Sequence, residues 1–464
     1  MAKLYVFGIG GTGSRVLRSF TMMLAAGVHV GADEIVPIII DPDASNADLT
    51  RTVALMNTYR SVRSNLSFAA NDQTTFFRKE LTQLLVNYTL RIQDTDDKSF
   101  QQFIDLPSMD TASQAMMRML FSERNLAASM EVGFKGNPNI GSVVLNQIVN
   151  SRDFTEFANS FEQGDKIFIV SSIFGGTGAS GFPLLLKTLR TGNTFPNNDI
   201  INNAEIGAVT ILPYFKLKAD DDSEIDSSTF ISKTKSALAY YENNISRNGS
   251  INALYYLGDN MSGSYENHEG GSAQQNDAHL IEFLAATAVV DFCNKEHLNT
   301  VNKELGLHDL SGNVTFDSFY DEQKKMLFAP LTEFILMAKC LTLKFDYYSS
   351  KSFNANNENF INLYNSSYIS NLKTMSRSYL EWLGEMDSNK RSLCLFNLKV
   401  EDKPFDIVTG MKPKKIFSTK SDYDLITDRL NSAVRKCNSK DDCNKFLEMF
   451  YLATSKLVSE KFNA

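Results

Sequence analysis

The chain has 464 residues, enough for two or three domains of ordinary size with large buried cores. Apolar residues make up 43% and charged residues 22%, which is typical of a folded globular protein and excludes a disordered one. The 46 basic and 54 acidic side chains give a net charge of −8, which argues against nucleic-acid binding by phosphate neutralisation. Nucleotides are not excluded, because helix N-termini and backbone N–H groups bind phosphate without a basic surface.

The N-terminal segment and the cysteines indicate the cellular compartment. The segment MAKLYVFGIGG has one lysine and a short apolar run that ends in glycine, unlike a secretory signal. No stretch reaches the ~18–20 apolar residues of a membrane span. The five cysteines are odd in number and lack zinc-type spacing, and the five histidines form no metal-ligand pattern. We therefore expect a cytoplasmic protein with reduced thiols, no membrane span and no resident metal site.

Short apolar runs predict a parallel sheet. They occupy residues 3–7, 35–40, 167–171, 206–212 and 253–257, and each is followed by a loop or turn. Segments with helical spacing lie between them, among them residues 181–190, 226–245 and 276–293. Strands that alternate with helices predict an open α/β sheet.

The pattern divides the chain into three regions. We expect a nucleotide-binding domain over 1–275 with a helical insertion around 50–130, a central helix over 276–300, and a C-terminal domain over 301–464. Helical patterns in the C-terminal region cover 318–348, 358–384, 421–436 and 440–462, and a β-like patch covers 392–411. This combination predicts a mixed α+β domain.

A first glycine loop, GIGGTGS at residues 8–14, lies between a predicted strand and a predicted helix. Gly8, Gly10 and Gly13 have the spacing of a dinucleotide-binding loop, with a tight turn and close backbone approach to phosphate. The next strand ends at Asp41, where such folds place an acid on a ribose hydroxyl. The loop favours a nucleotide or dinucleotide site over a purely structural turn.

A second glycine loop, FGGTGASG at residues 174–181, also follows a buried strand and enters a helix. Thr177 and Ser180 supply hydroxyl groups, and the loop amides and the helix dipole form a cradle for an anion. No Lys-Ser/Thr pair follows the glycines, so the loop is not of the Walker type. Two such loops predict that phosphates are held from two strands; a close-packed turn in a large sheet is the alternative.

A third stretch, GFKGNPNIG at residues 133–141, stands just before an apolar helix. Its glycines and Pro138 interrupt the preceding chain, and Asn137 or Asn139 is placed to cap the helix. Taken alone, the stretch predicts an ordinary helix start.

Together, and in this order, the three stretches resemble the tubulin/FtsZ superfamily, which has a GxGGxGxN-like first loop, a GAGGNPxxG loop and a GGGTGTG signature. VTILPYF at 209–215 and QNDAHLIEFLAATAVVDF at 275–292 are similar to a strand and the central helix of that family. The resemblance covers residues 1–293. It implies a divergent bacterial tubulin-like protein with a Rossmann-type nucleotide domain, a central helix and a modified, mixed C-terminal domain.

The resemblance implies GTP or GDP as the ligand, with Mg²⁺ as an optional companion ion. In it, Gly136 and Asn137 close over the γ-phosphate side, and Asn276 or Asp277 faces the guanine base. The nucleotide-binding residues expected from the loops and the resemblance are Gly10, Gly11, Thr12, Gly13, Ser14, Asp41, Gly136, Asn137, Gly175, Gly176, Thr177, Gly178, Asn276 and Asp277.

The region after the central helix departs from the family. In the family, an acidic loop after the central helix reaches the nucleotide of the neighbouring subunit and completes hydrolysis. This chain has FCNKEHLNTVNKELGLHD at 292–309 instead, with Asn294, Glu296 and Glu304 at a different spacing. We therefore assign no catalytic residue and expect weak or absent GTPase activity. Head-to-tail self-association into filaments is implied by the resemblance alone.

Two other functions remain open at the level of sequence. One is a nucleotide-dependent switch or scaffold that does not polymerise. The other is a Rossmann-type enzyme that uses NAD or ATP, in which residues 174–181 have no binding role. The acidic run KADDDSEID at 218–226 is predicted to be a solvated loop, with one acid on a ribose or Mg²⁺ as the alternative.

Overall fold

The computed structural model describes residues 2–43, 45–69, 72–93, 95, 97–130, 134, 137–217, 230–259, 264–265, 271–273, 275–295, 307, 312–350, 360–414 and 420–462. Three sequence predictions fall outside these residues: the role of Gly136, the acidic run 218–226, and the two glutamates at 296 and 304.

The described strands form one large sheet and one small pair. They are β1 (Lys3–Ile9), β2 (Glu34–Ile40), β3 (Glu80–Leu81), β4 (Lys166–Ser172), β5 (Glu205–Ile211), β6 (Lys216–Leu217), β7 (Ala253–Leu257) and β8 (Ser264–Tyr265). Six of them pair in the order β3-β2-β1-β4-β5-β7, every pair parallel, and β6 pairs with β8. The five predicted strands are confirmed. Their near-continuous apolar runs suit a sheet covered on both faces.

Helices surround the sheet. They are α1 (Gly10–Ala25), α2 (Ala47–Arg63), α3 (Phe100–Phe103), α4 (Thr111–Leu120), α5 (Glu123–Ala127), α6 (Pro138–Leu145), α7 (Arg152–Ser160), α8 (Gly176–Thr191), α9 (Asn198–Asn202), α10 (Phe230–Tyr241), α11 (Leu280–Asn294), α12 (Asp321–Leu343), α13 (Phe345–Ser349), α14 (Ile361–Tyr364), α15 (Ser367–Ser388), α16 (Asp422–Val434) and α17 (Asp442–Phe462). The strand order makes the fold a doubly wound α/β fold, and the order reverses between β1 and β4.

Small residues let α1 and α8 lie close to the first strand. A Cβ added to Gly13 in α1 would stand 2.4 Å from the carbonyl carbon of Gly8 in β1. A Cβ added to Gly181 in α8 would stand 2.9 Å from Cγ2 of Ile9, the last residue of β1. Both glycines are therefore required by helix–strand packing, and both helices are held tightly against the end of the same strand.

Helix α11, the predicted central helix, packs along the sheet beside α1. Phe292 near its end lies against Phe168 of β4, with ring centroids 5.2 Å apart. Its last residue, Asn294, donates a side-chain hydrogen bond to the carbonyl of His29, 3.0 Å away, in the loop before β2. The helix therefore runs from the end of the sheet where β1 and β4 lead into the glycine loops to the opposite end, where the strands begin.

The C-terminal helices pack onto the α/β layer. Trp382 of α15 is fully buried, and its indole Nε1 donates a hydrogen bond to the hydroxyl of Ser19 in α1 at 3.2 Å. The β-like patch at 392–411 pairs through single bridges, Phe396 with Val408 and Leu393 with Val314. Because these pairings are one residue long, the described part of this region consists mainly of helices.

Residues 50–130 combine helices with an unforeseen strand. Most of α2 lies there, and so do α3, α4 and α5, but β3 also pairs with β2 through Glu80 opposite Glu34. A two-residue strand has no periodicity, so only its position beside β2 defines it.

Helix α12 is, among the described helices, the one long and apolar enough to cross a membrane by length and composition. In the structure 72% of its apolar window is buried within the protein.

Residues Cys437 and Cys443 near the C-terminus are thiols and do not form a disulfide.

Candidate functional site

The two glycine loops meet where the strand order reverses. β1 and β4 are neighbours, with Gly8 paired to Val170, and each strand leads into its glycine loop at its carboxyl end. A Cβ added to Gly10 would lie 3.5 Å from Cβ of Thr177 and 3.8 Å from the amide nitrogen of Gly178. Gly10 has φ +71°, a left-handed conformation that other residues adopt only with strain. Open α/β sheets bind ligands in the crevice at this reversal.

Neither helix that starts at this crevice has a side-chain cap. Helix α1 follows Ile9 and α8 follows Gly175, and neither residue accepts a capping hydrogen bond through its side chain. By contrast, Asn46 caps α2 and Ser151 caps α7. The first amides of α1 and α8 have no partner within their own helices, and both helix dipoles present their positive ends at one place. This arrangement is able to bind a polyanion such as a chain of phosphates.

Ser14 and Gly178 of the two loops pack against neighbouring backbone. Ser14 is fully buried; its hydroxyl donates to the carbonyl of Gly10 at 3.4 Å, and its own carbonyl accepts from Thr52 of α2 at 3.1 Å. Gly178 is also buried, and a Cβ there would stand 2.7 Å from the carbonyl oxygen of Ser172. The remaining loop residues divide into half-buried Gly11, Thr12, Gly175 and Thr177 and buried Gly10, Gly13 and Gly176.

Of the two candidate caps of α6, Asn137 and Asn139, the structure selects Asn137. Its side-chain oxygen accepts hydrogen bonds from the amides of Asn139 and Ile140 at 3.1 and 3.5 Å. Helix α6 packs against α8 at Gly141, where an added Cβ would collide with Ser180 Oγ at 2.2 Å. The end of the third stretch at Gly141 therefore lies beside the second glycine loop, and the contact of Asn137 with a γ-phosphate stays a prediction.

Asp41, which follows β2, is a buried acid with 7% of its surface exposed. One of its carboxylate oxygens accepts a hydrogen bond from the amide of Asp43 at 3.1 Å. Burial raises the pKa of Asp41 to about 7, and the Asp43 amide and Arg15 oppose that shift. The carboxylate of Asp43 in turn accepts hydrogen bonds from the amide and the hydroxyl of Ser45 and from the amide of Gly271. The role of Asp41 at a ribose stays a prediction.

A buried ion cluster lies directly behind the first glycine loop. Arg15 of α1 donates from Nε to Glu282 of α11 at 2.5 Å and from one terminal nitrogen to Asp48 of α2 at 3.1 Å. Its other terminal nitrogen donates to the hydroxyl of Tyr214 at 3.3 Å. All three charged side chains are at least 91% buried. The cluster fixes the second turn of α1 and the first turns of α2 and α11 relative to one another.

The two candidate base-reading residues have different surroundings. Asn276 is held by Asp48: its backbone amide donates to one carboxylate oxygen at 2.9 Å and its side-chain amide to the other at 2.7 Å. Asp277 is exposed. The contact with Asp48 joins Asn276 to the Arg15 cluster, near the second turn of α1, and Asp277 is the next residue along the chain.

His279 is the cap of α11 and is not a surface group. Its Nδ1 accepts from the amide of Ile281 at 3.0 Å, and its ring lies 4.6 Å from that of Tyr214, centroid to centroid. Burial lowers the pKa of His279 to about 4, and Arg15 adds to this effect, so the ring is neutral at physiological pH. A neutral ring is required for this acceptor role.

A second carboxylate joins the C-terminal helices to the same region. Glu385 of α15 accepts from Arg18 at 2.7 and 3.2 Å, from Arg51, and from the backbone amide of Ala278 at 2.8 Å. Sequence reasoning did not foresee these contacts. The available signal was the presence of two arginines, at positions 15 and 18, in an otherwise buried helical pattern. Such residues need acidic partners, but spacing does not say which acids they are.

No protein-family model matches the sequence, and no curated protein matches it. The chain is similar to solved structures, among them three of CetZ proteins. CetZ from Methanosaeta thermophila is 14% identical, with a TM-score of 0.29, over 56% of this chain and 46% of that one. CetZ2 from Haloferax volcanii, described as a GTPgS-bound protofilament, is 12% identical, with a TM-score of 0.32, over 65% and 60%. CetZ1 from Haloferax volcanii, described as a GDP-bound monomer, is 14% identical, with a TM-score of 0.32, over 63% and 60%.

The chain thus spans about half to three fifths of the length of these solved structures. The assignment of this chain to the doubly wound α/β proteins rests on its own strand order and register.

Replacing Arg15 by Met should strongly destabilise the protein. The change leaves Asp48 and Glu282 as buried acids without their shared cation, which costs about 3–5 kcal/mol of unfolding free energy. Urea denaturation followed by circular dichroism measures the loss. The control is Arg118→Met, which breaks an exposed pair with Glu123 and should cost less than about 1 kcal/mol. Equal losses in the two variants would contradict the structural role of the buried cluster.

Replacing Asp41 by Asn should change how stability depends on pH. Because the pKa of Asp41 is raised to about 7, the folded protein keeps a proton that the unfolded chain releases near pH 4. Wild-type stability therefore falls as pH rises from about 4 to about 7, by up to ~1.4 kcal/mol per pH unit. The Asn variant lacks this loss, so relative to wild type it should gain about 2–3 kcal/mol between pH 5 and pH 8. A constant difference across that range would show that the carboxyl titrates normally.

Proposed function

We propose that the protein binds a guanosine nucleotide, GTP or GDP, in the crevice between the two glycine loops, as a tubulin/FtsZ-like protein. The proposal is carried by one observation: α1 and α8, both without side-chain caps, begin in contact with each other at the end of neighbouring strands. A single uncapped helix would suit one phosphate. Two converging cradles suit a di- or triphosphate.

The phosphates would be held by backbone amides and not by basic side chains. Arg15, the nearest described arginine of α1, is occupied by Asp48 and Glu282. Amides and helix dipoles act as fixed partial charges, so binding of this kind is compatible with a net charge of −8.

Mg²⁺ would be held mainly by the nucleotide. In the part of the chain that the structure describes, no group of three or more His, Cys, Asp or Glu side chains is placed to hold a metal ion. Mg²⁺ commonly takes one or two carboxylates together with substrate phosphates and water. Asp41 is the described acid that suits this role, because it lies at the end of β2 next to β1 and has one oxygen outside the hydrogen bond to Asp43.

The choice of guanine rests on the resemblance of the three loops to the tubulin/FtsZ superfamily and on the start of α11. Asp277 is exposed beside the Arg15 cluster, and a carboxylate there is able to accept hydrogen bonds from guanine N1–H and its amino group. Adenine has no N1–H. Asn276 would act by holding this segment against Asp48.

Competition binding tests the nucleotide. With Mg²⁺ present, we expect purified protein to bind GTP and GDP at least tenfold more tightly than ATP or NAD, measured by displacement of a fluorescent guanosine nucleotide. Gly10→Ala should weaken binding at least tenfold, because the new methyl group lies between the loops, 3.8 Å from the Gly178 amide.

The matched control is Gly249→Ala. Gly249 has φ +68° and nothing within 4 Å of an added Cβ, so the variant carries similar backbone strain, about 1–2 kcal/mol, far from the crevice. It should keep wild-type affinity. Preference for NAD or ATP would instead favour the Rossmann-type enzyme, and equal affinity in both glycine variants would remove the crevice from the binding site.

We further propose that the protein self-associates head to tail and hydrolyses GTP weakly or not at all. Helix α11 has 15 residues and is about 22 Å long, and it leads the chain from the glycine loops to the opposite edge of the sheet. The end of α11 at Asn294 is therefore on the side that would meet the crevice of a second copy in a head-to-tail stack. The alternative is a nucleotide-dependent switch that remains unassembled.

Sedimentation separates these two alternatives. We expect GTP to produce high-speed pellets above a critical concentration, and the pellets to persist for longer than the assay because hydrolysis is slow; phosphate release measures hydrolysis directly. GDP is the control and should give less pellet. Nucleotide binding without any pellet, up to the highest soluble concentration, would favour the switch.

A further inference from the structure

The end of α15 holds the segment that leads into α11. Ala278, two residues before α11, is buried, and both of its backbone polar groups are bound there. Its amide donates to the carboxylate of Glu385 at 2.8 Å, and its carbonyl accepts from the side-chain amide of Asn389 at 3.1 Å. Glu385 lies in the last turn of α15, and Asn389 is the residue that ends the helix. We call this pair of contacts the α15 clamp.

The segment is also held on the other side of Asp277. The backbone amide and the side-chain amide of Asn276 donate to Asp48 at 2.9 and 2.7 Å, and the Asn276 carbonyl accepts from Arg51 at 3.2 Å. Asp277 is exposed and stands between these two anchored residues. The position of its backbone is therefore fixed from both directions, and its freedom lies in the rotamers of its own short side chain.

Glu385 connects this segment to the helix of the first glycine loop. Besides the Ala278 amide, its carboxylate accepts two hydrogen bonds from Arg18 of α1 at 2.7 and 3.2 Å and one from Arg51 of α2. Burial alone would raise the pKa of Glu385, but the bonds from Arg18 and Ala278 and the charge of Arg51 outweigh it and lower the pKa. The acceptor is therefore ionised at neutral pH, and hydrogen bonds to an ionised acceptor are the stronger kind.

We propose that the α15 clamp positions Asp277 for recognition of the base and thereby contributes to the choice of guanine. This inference rests on the proposed function, in which Asp277 faces the base and the glycine loops hold the phosphates. A nucleotide engages both places at once only when the distance between them is correct. Because α1 starts at the first glycine loop and Glu385 bonds to both α1 and Ala278, the clamp fixes that distance. Glu385 and Asn389 are positioning residues, which act through Asp277.

A carboxylate on an anchored backbone discriminates between bases better than one on a loose segment. A loose segment would have to be ordered at every binding event, and this entropy cost would weaken binding. It could also turn away from a base that offers no donor. An acid that is held in place accepts hydrogen bonds from guanine N1–H and the amino group, but it meets a lone pair at N1 of adenine. Specificity then comes from repulsion of the wrong base as well as attraction of the right one.

Asn389→Ala tests the clamp, because it removes one contact to Ala278 and keeps Glu385 with its arginines. Glu385→Gln would also weaken the bonds to Arg18 and Arg51 and hence the fold. Dissociation constants are measured for GTP, ATP and inorganic tripolyphosphate, all with Mg²⁺. Asn389→Ala should weaken GTP binding about threefold to tenfold, as expected for one hydrogen bond. Binding of ATP and tripolyphosphate should stay unchanged, because the glycine loops are intact.

The matched control is Asn202→Ala. The side-chain amide of Asn202 donates to the carbonyl of Gly192 at 3.1 Å, the same kind of bond at the same length. Gly192 lies at the end of α8 away from its glycine loop, and both asparagines are half-buried. The two variants should melt at similar temperatures. Asn202→Ala should keep the wild-type affinity for all three ligands.

A double-mutant cycle separates positioning of Asp277 from a general effect on the fold. In an Asp277→Ala background there is no acid to position, so adding Asn389→Ala should leave GTP affinity unchanged. An equal loss of GTP affinity in both backgrounds would show a merely structural role and overturn the inference. An unchanged ratio of GTP to ATP affinity in the single variant Asn389→Ala would overturn it too.

Failure of this inference and failure of the proposed function give different results. Equal binding of GTP and ATP by the wild type would overturn the choice of guanine and the clamp together. If the wild type prefers GTP, and Asp277→Ala loses that preference while Asn389→Ala keeps it, only the role of the clamp is overturned. A preference that survives Asp277→Ala would show that the base is read elsewhere, which overturns the clamp and leaves the guanosine nucleotide in place.

Discussion

The burial of α1 is the constraint on which the rest of the structure depends. Every residue from Gly13 to Ala25 is buried, yet the helix carries Arg15 and Arg18. An arginine taken out of water requires an acidic partner with good geometry. Asp48, Glu282 and Glu385 provide those partners from α2, α11 and α15. Helix α1, which begins at the first glycine loop, thereby fixes the starts of α2 and α11 and the position of α15 beside it.

This constraint also explains why the candidate site is built from backbone. The cations of α1 are directed away from the crevice, into the acids behind it, so the crevice is left with amide groups and two positive helix ends. Buried ion pairs are a poor source of net stability, but they are specific in geometry. Here they hold the N-terminus of α1 beside that of α8, and this alignment is what a chain of phosphates would need.

The connection through Glu385 has a consequence for the C-terminal region. One carboxylate contacts α1, α2 and the segment before α11, so a movement of α15 would be transmitted to the ends of all three. Trp382, one turn earlier on α15, reinforces the contact through Ser19. The C-terminal helices are thus attached directly behind the candidate site.

Five strands of the large sheet and the two glycine loops could be predicted from sequence, because both depend on local properties. Five apolar runs are strands because a sheet covered on both faces needs continuous apolar residues. Gly10 takes a positive φ, and Gly13 and Gly181 allow close packing, which are requirements that only glycine meets at low cost. A cap at Asn137 or Asn139 was likewise predicted from the position of these residues before an apolar run, and the structure selects Asn137.

What the sequence could not determine depends on contacts between distant parts of the chain. β3 is a strand only because it lies beside β2, and the partners of Arg15 lie 33 and 267 positions away along the chain. Asn276, expected at the base, is engaged by Asp48 for the same reason. The sequence by itself determined five of the six strands of the sheet and the amide-rich loops, since these follow from residue type and spacing. Only the tertiary structure decided which charges neutralise one another, because that depends on which side chains are brought together away from water.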